Sequence, residues 1–195
     1  MEEEKFDPRQ SLQLIDSMIN LAKNRFSENG HLYLVWGWVV LFCSLLHYAA
    51  IKWAWWARPE WVWGLTWAAL LYQFFYISKR KRKARVRMYA DEILGAVWLV
   101  FVGCGGILGI VVGRLGNWQV MYSLILMLYG IPTILSGAVL RFRPLVAGGL
   151  VCWGLSIISS FLAFEYSILM ISIAVIAAWI IPGYLMQVRH SEQQS

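Results

Sequence analysis

The sequence predicts an all-α membrane protein, a bundle of six transmembrane helices in three hairpins that follows a short amphipathic helix. Three observations predict this fold class: an apolar composition, six apolar runs of bilayer length, and a one-sided distribution of basic residues. Of the 195 residues, 59% are hydrophobic and 14% are charged, whereas soluble domains carry about 25% charged residues. The chain also has 12 Trp, a residue enriched where lipid headgroups meet water. We therefore expect lipid to be the main solvent.

The first element is an amphipathic helix within residues 1–30, the only sizeable segment outside the apolar runs. Asp7-Pro8 is typical of a helix start, and Asn29-Gly30 is typical of a helix end. Apolar residues between them recur at helical spacing and share one face. They are Leu12, Ile15, Ile19, Ala22 and Phe26. Such a helix suits a membrane surface or a protein partner.

Six apolar runs follow, each close to the roughly 20 residues that a helix needs to cross a bilayer. They form a transmembrane domain over residues 31–190, and residues 191–195 form a short tail. The predicted spans lie near 32–53, 61–78, 93–113, 118–140, 145–164 and 167–187. Glu165-Tyr166 is the weakest of the polar breaks between spans. Because the loops are too short for a soluble domain, function must reside in the bundle, the N-terminal helix or the basic loop.

The basic residues orient the bundle. With the N-terminus in the cytoplasm, 14 of the 17 Lys and Arg residues lie inside, so the positive-inside rule makes both termini cytoplasmic. Seven of them form a basic cluster after the second span, at Lys79, Arg80, Lys81, Arg82, Lys83, Arg85 and Arg87. Each basic residue near a membrane surface attracts anionic lipid by about 1 kcal/mol. We expect lipid contact here, and no nucleic-acid binding, because no nucleic-acid fold accompanies the charge.

Tryptophans flank the first outer loop. Together with Arg58 and Glu60 they form an outer aromatic belt that anchors the chain at the interface. The belt consists of Trp53, Trp55, Trp56, Trp61 and Trp63.

Two stripes of small residues repeat at four-residue spacing. The stripe of the third span consists of Gly105, Gly109 and Gly113, and that of the fifth span of Gly148, Cys152, Ser156 and Ser160. Small residues let two helices approach closely, which is a main source of helix association in lipid. We expect both stripes to pack the chain's own helices; the alternative is a homodimer interface.

Three cysteines lie at similar depth in parallel spans, Cys43, Cys104 and Cys152, and His47 follows Cys43 by one turn. Three thiolates and an imidazole would suit a soft or borderline metal, so an intramembrane metal or haem protein is a third functional hypothesis. Cysteine is also a small apolar residue that packs well in a core. Because no CxxC or paired-His motif is present, we expect no metal and no cofactor.

The middles of the predicted spans lack Asp, Glu, Lys and Arg, which counts against proton-coupled transport. Pro132 and Pro182 interrupt the fourth and sixth spans and could free backbone carbonyls. A channel or carrier for a neutral or apolar solute is therefore the second hypothesis, with a cavity at Thr133, Ser136 and Trp179. No Ser–His–Asp set, carboxylate pair or HExxH motif occurs, so we expect no enzyme.

The stretch from Ser11 to Gly30, followed by Leu34-Val35-Trp36-Gly37-Trp38, resembles a group of small, uncharacterised bacterial inner-membrane proteins. These share an amphipathic N-terminal helix, a Trp-Gly-Trp entry to the first span and several further spans. The resemblance implies a bacterial inner membrane and a regulatory association with a cytoplasmic factor. The leading hypothesis is a non-enzymatic scaffold, sensory or regulatory role, with the N-terminal helix bound to a cytoplasmic protein or to the membrane surface.

Overall fold

A computed structural model describes residues 8–83 and 89–192, with side chains at 30–79 and 92–188. Every regular element in these residues is helical. In order, they are α1 (Pro8–Lys52), a 3₁₀ turn (Pro59–Gly64), α2 (Leu65–Lys83), α3 (Tyr89–Leu115), α4 (Trp118–Val139), α5 (Arg143–Ser160), α6 (Phe164–Val175), a π turn (Ile176–Ile180) and α7 (Ile181–Glu192). The last three follow one another without a break.

Among the described residues, which are all-helical in their regular structure, five helical segments are long and apolar enough to cross a membrane, so the chain is a multi-pass membrane protein. They are Gly30–Lys52, Glu92–Leu115, Trp118–Val139, Arg143–Ser160 and Phe164–Val188. The predicted second span, 61–78, is not among them. Its α-helix begins only at Leu65 and meets the basic cluster at Lys79, so its apolar part is shorter than the roughly 20 residues of a typical span.

The predicted end of the N-terminal helix at Asn29-Gly30 is wrong, because α1 runs through both residues to Lys52. Gly30 is buried, and a Cβ added there would lie 3.0 Å from the Gly183 carbonyl oxygen and 3.1 Å from the Met186 Cβ. This glycine therefore permits the close approach of α1 and α7, a common use of glycine between membrane helices.

The predicted break at Glu165-Tyr166 is also misplaced. α5 ends at Ser160, and α6 begins at Phe164, so the connection is residues 161–163. Glu165 lies in the first turn of α6, where a carboxylate interacts favourably with the positive end of the helix dipole. Glu165 therefore marks the start of α6, and the break between α5 and α6 lies before it.

A tight turn connects α4 and α5. Arg141 adopts a positive φ of 51°, and the Phe142 N–H donates to the Gly137 carbonyl oxygen over 2.8 Å. This is the arrangement that commonly ends a helix, with Arg in the place that glycine usually takes. This short turn places α4 and α5 side by side and antiparallel.

The core lies along the continuous α6, π turn and α7. In an apolar 18-residue stretch of the Phe164–Val188 span, 56% of the residues are buried, whereas in the corresponding stretch of Glu92–Leu115 on α3 the share is 6%. α1, α4 and α5 surround the central helix, and α3 lies against α4 at the edge. The side chains available for a functional site are therefore those that α1, α4 and α5 direct at the π turn and its neighbours.

Candidate functional site

Trp179, in the π turn, lies at the centre of a cluster of polar and aromatic side chains. Its indole Nε1 donates to the Thr133 Oγ1 over 3.1 Å, and that hydroxyl donates to the Tyr129 carbonyl oxygen over 2.7 Å. Trp179 and Thr133 are almost fully buried. The indole N–H and the Thr133 hydroxyl thus both have a partner, as buried polar groups in a lipid or protein interior require.

Aromatic rings surround Trp179 and join four elements. The Tyr129 ring lies 4.8 Å from the Trp179 ring between centroids, and the Trp98 ring of α3 lies 6.0 Å from it. Trp98 in turn contacts Tyr33 of α1 at 6.0 Å, and Phe101 contacts Tyr129 at 5.5 Å. These separations are typical of favourable aromatic pairs. The cluster therefore ties α1, α3 and α4 to the π turn.

Sequence reasoning assigned no role to Tyr33, Trp98 and Tyr129. For Trp98 and Tyr129 the signal is position, because each lies inside an apolar run, away from the interface where Tyr and Trp usually lie, whereas Tyr33 stands at the start of its run. Such rings inside a span need a partner for their N–H or O–H groups, which predicts contact with another polar residue.

The predicted cavity at Thr133, Ser136 and Trp179 is closely packed. All three residues are buried, and neither of the two grooves described below is lined by them. Ser136 Oγ makes no hydrogen bond, although the Tyr33 side chain interacts with it. Thr133 and Trp179 do meet, but as a packed pair bonded to each other.

The π turn ends two residues before Pro182. Proline has no N–H and its ring clashes with the carbonyl of the preceding turn. A wider turn relieves that clash, and π turns occur often at functional positions. The sixth helix therefore accommodates its proline by local widening, whereas α4 continues through Pro132 to Val139.

A second polar cluster surrounds His47 near the C-terminal end of α1. The Trp63 Nε1 donates to His47 Nδ1 over 2.7 Å, and the Tyr122 hydroxyl lies 3.2 Å from the same nitrogen. Because an indole N–H can only donate, Nδ1 is an acceptor and the imidazole is neutral. The ring of Phe164 packs edge-on against it. His47 therefore joins α1 to the 3₁₀ turn, α4 and α6.

The predicted metal set is not assembled. Cys43 and Cys152 are buried, and Cys104 is exposed on α3. Cys43 Sγ donates to the Val62 carbonyl oxygen at 3.4 Å, and His47 Nδ1 bonds as described above. Within the described ranges, no three His, Cys, Asp or Glu residues lie close enough to hold a metal ion.

The stripe of α5 packs tightly against its neighbours. A Cβ added at Gly148 would lie 2.5 Å from the Ala178 Cα and 2.7 Å from the Ala177 carbonyl oxygen. Cys152 is fully buried, and Ser156 Oγ donates to the Ser123 carbonyl oxygen over 2.7 Å. Only Ser160, at the end of the helix, is exposed. This stripe contacts α4 and the π turn through most of its length.

The stripe of α3 is open. No described atom lies within 4 Å of a Cβ added at Gly105 or Gly109, and Gly113 is approached only by the Trp118 ring, at 3.8 Å. The contact inside the chain's own bundle that was expected at Gly105 and Gly109 is therefore absent from the described structure. The homodimer interface stays a prediction.

The basic cluster begins on α2. The Lys79 side chain is exposed. The next four residues continue the helix and are described by backbone only: Arg80, Lys81, Arg82 and Lys83. Arg85 and Arg87 lie outside the described residues, as do residues 193–195 of the predicted tail.

Two of the surface grooves between the described helices concern the site. One, of about 310 Å³, has only apolar walls from α3 and α4 around Phe101, Cys104 and Pro132. The other, of about 660 Å³, is called the outer groove here. It lies between α1, the 3₁₀ turn and α2 and includes Arg58 among its walls.

Compared with known protein families, characterised proteins and solved structures, the chain has no match.

Proposed function

We propose that the chain is a non-enzymatic membrane protein with a scaffold, sensory or regulatory role in a bacterial inner membrane. In this proposal the N-terminal part of α1 lies in the cytoplasm and binds a protein partner. The observation that carries the proposal is the continuity of α1, a single helix from Pro8 to Lys52.

The length of α1 separates its two halves. Its 45 residues correspond to about 68 Å at 1.5 Å per residue, more than twice the roughly 30 Å of the hydrocarbon core. The membrane-length segment begins at Gly30. Residues 8–29 therefore extend about 33 Å beyond it, too far along the same axis to lie flat on the bilayer surface.

The apolar pattern of the N-terminal half continues into the bundle at the same helical phase. Positions 12, 15, 19, 22 and 26 repeat every three or four residues, and the repeat runs on through buried positions of the span. These are Gly30, Tyr33, Gly37, Val40 and Ser44. At about 100° per residue, all ten positions fall within an arc of about 80°. The face that packs inside the bundle is thus apolar outside it as well.

α7, which packs against this face inside the bundle, does not reach its far end. α7 runs antiparallel to α1, since Ile180 lies against Gly37 and Met186 against Gly30. From Met186 to its end at Glu192, α7 extends only about 9 Å. Ile19, eleven residues before Gly30, lies beyond that reach. An apolar face in water favours association with another surface, which supports a protein partner there.

The bundle interior supports a structural, non-enzymatic role for its polar groups. Ser44 and Ser172 hydroxyls lie 2.7 Å apart, Trp179 bonds Thr133, and His47 accepts from Trp63. Each pair joins two different elements, which is how polar residues associate helices in lipid. No described observation favours the channel or the metal hypothesis.

We further propose six spans with both termini inside. α2 runs antiparallel along α1, because His31 bonds Tyr72 and His47 bonds Trp63. The Tyr33–Trp98 contact supports a common level for the starts of the α1 span and α3. A chain that leaves α1 at one side and enters α3 at the other has to return across that thickness, through the 3₁₀ turn and α2.

Photo-crosslinking in intact cells tests the partner proposal. A benzophenone amino acid replaces Ile19, on the apolar face, and in a matched chain replaces Ser17, about 160° away on the same helix. We expect a discrete protein adduct from position 19 and at least several-fold less from position 17. Adding Ile15→Asp, which breaks the apolar face, should remove the adduct while the protein still reaches the membrane.

The outcome that contradicts the proposal is equal labelling from the two positions, or lipid adducts alone from position 19. A second arm deletes residues 1–28. If every cytoplasmic interaction and phenotype survived that deletion, the N-terminal half of α1 would have no regulatory role.

A further inference from the structure

The outer groove combines apolar walls with one cation. It is built by Leu46 of α1, the loop and 3₁₀ turn, and the start of α2, and its volume of about 660 Å³ is within the usual range of ligand sites. Its walls are Leu46, Trp56, Arg58, Trp61, Val62, Gly64, Leu65 and Ala68. We propose that this groove binds one anionic phospholipid, with the phosphate at Arg58 and an acyl chain along the apolar walls.

The groove runs from the chain's first loop toward the middle of the bundle. Val62 and Trp63 are fixed against α1 by bonds to Cys43 and His47. From there α2 runs antiparallel along α1, and farther along the two helices the Trp36 indole donates a hydrogen bond to the Gln73 side chain. Arg58 therefore lies at the loop end of the groove and Ala68 at the deep end. That order of charged and apolar walls matches a phospholipid lying with its headgroup at the interface.

The electrostatics favour an anionic headgroup. Arg58 is the one charged residue in the wall, and the neighbouring carboxylate, Glu60, is not part of it. A guanidinium presents a planar set of donors that matches phosphate oxygens. Trp56 and Trp61 are residues that favour the headgroup level. A free phosphate would gain nothing from the apolar walls, so the whole groove fits a lipid better. This inference needs the membrane placement of the chain, and it is independent of the N-terminal partner.

Gly64 offers a way to fill the groove without disturbing the fold. It lies in the groove wall, and a Cβ added there would meet no described atom within 4 Å. The side chain of a Gly64→Leu variant would therefore enter the open groove, and Gly64→Ala would leave most of it free.

Native mass spectrometry of the full chain in nanodiscs tests the proposal. The discs contain equal amounts of phosphatidylglycerol and phosphatidylcholine with the same acyl chains, and the readout is the lipid retained after release. We expect one phosphatidylglycerol retained by the wild type. Arg58→Gln should lower that retention by roughly fivefold to tenfold, the scale of one basic residue at a membrane surface. The matched control is Arg114→Gln, which removes another exposed arginine outside the groove and should leave retention unchanged.

The filling variants separate a groove from a general charge effect. Gly64→Leu should lose the retained lipid, and Gly64→Ala should keep it, with both variants as helical and as thermally stable as the wild type. The proposal is overturned if Arg58→Gln and Arg114→Gln lower retention equally, or if the wild type retains phosphatidylcholine as strongly as phosphatidylglycerol. It is also overturned if a folded Gly64→Leu variant still retains the lipid.

Discussion

The stripes of α3 and α5 have the same four-residue spacing, yet their surroundings are opposite. At Gly148 of α5, an added Cβ would collide with the backbone of the π turn, whereas at Gly109 of α3 it would enter open space. Small residues remove an obstacle to close approach, but they do not by themselves attract a helix, because lipid is as apolar as the helix surface. The difference must therefore come from what faces each stripe.

Small residues also face the α5 stripe from the opposite side. Ala177 and Ala178 lie across from Gly148, and Gly130 lies across from Gly149. On α3, Trp98 and Phe101 precede Gly105 on nearly the same face, since seven residues make two turns. Their rings reach Trp179 and Tyr129 at centroid separations of 6.0 and 5.5 Å. Rings of this size separate the next part of α3 from the bundle, which accounts for the open space at Gly105 and Gly109.

The largest expected effect is at Gly148. A Gly148→Leu substitution forces a side chain against the Ala178 Cα, 2.5 Å from the added Cβ, and two backbones cannot yield as a flexible side chain would. We expect a loss of about 3 kcal/mol or more in unfolding free energy, measured by titrating mixed micelles with denaturing detergent. Wild-type stability in this variant would mean that the α5 stripe is as open as that of α3.

The second expected effect is a difference in cysteine reactivity between the two helices. Cys104 is exposed on α3, whereas Cys43 and Cys152 are buried. A membrane-permeant maleimide should modify Cys104 at least about tenfold faster than the other two, since reactivity requires access. Site-resolved mass spectrometry follows the rates in folded protein, and denatured protein gives the reference at which all three react. Equal rates in the folded state would contradict the tight packing of α5.

The third effect is expected at the hydrogen bond between Trp179 and Thr133, beside the stripe of α5. Thr133→Val keeps the shape and removes the hydroxyl that accepts from the indole over 3.1 Å. We expect a loss of about 0.6–1.7 kcal/mol, the range for hydrogen bonds between membrane helices. Ser160→Ala is the matched control, because Ser160 is exposed and bonds only within its own helix. An equal loss in both variants would assign no special value to the bond at the π turn.

The smallest effect is expected at Gly109. With no described atom within 4 Å, Gly109→Leu should change the unfolding free energy of the isolated chain by less than the roughly 1 kcal/mol by which Gly disfavours a helix. Sedimentation of the detergent-solubilised protein gives the oligomer size. A strong fall in stability together with smaller particles would indicate that a second copy fills the α3 stripe.

The sequence predicted the helical class, most of the spans and their connections, because apolar runs and polar breaks reflect the solvent directly. It placed Gly30 at a helix end, because glycine at a cap and glycine at a helix crossing look the same in one dimension. The two stripes were given the same role for a similar reason. The spacing of small residues shows only where another helix could pack closely, whereas a bulky neighbour such as Trp98, two turns before Gly105, determines whether it does. The aromatic cluster around Trp179 brings together residues far apart in the chain, so local patterns could not reveal it.

The π turn at Ile176–Ile180 carries a mechanical consequence for the end of the chain. A π turn holds one residue more than the α turn that it replaces. Relative to an uninterrupted helix, α7 is therefore rotated by about 100° and shifted by about 1.5 Å. That offset brings Gly183 to its crossing with Gly30. Deleting one residue, such as Ala177, would restore the shorter turn and rotate Gly183 away from Gly30. The extra residue of the π turn therefore aligns the last helix with the first.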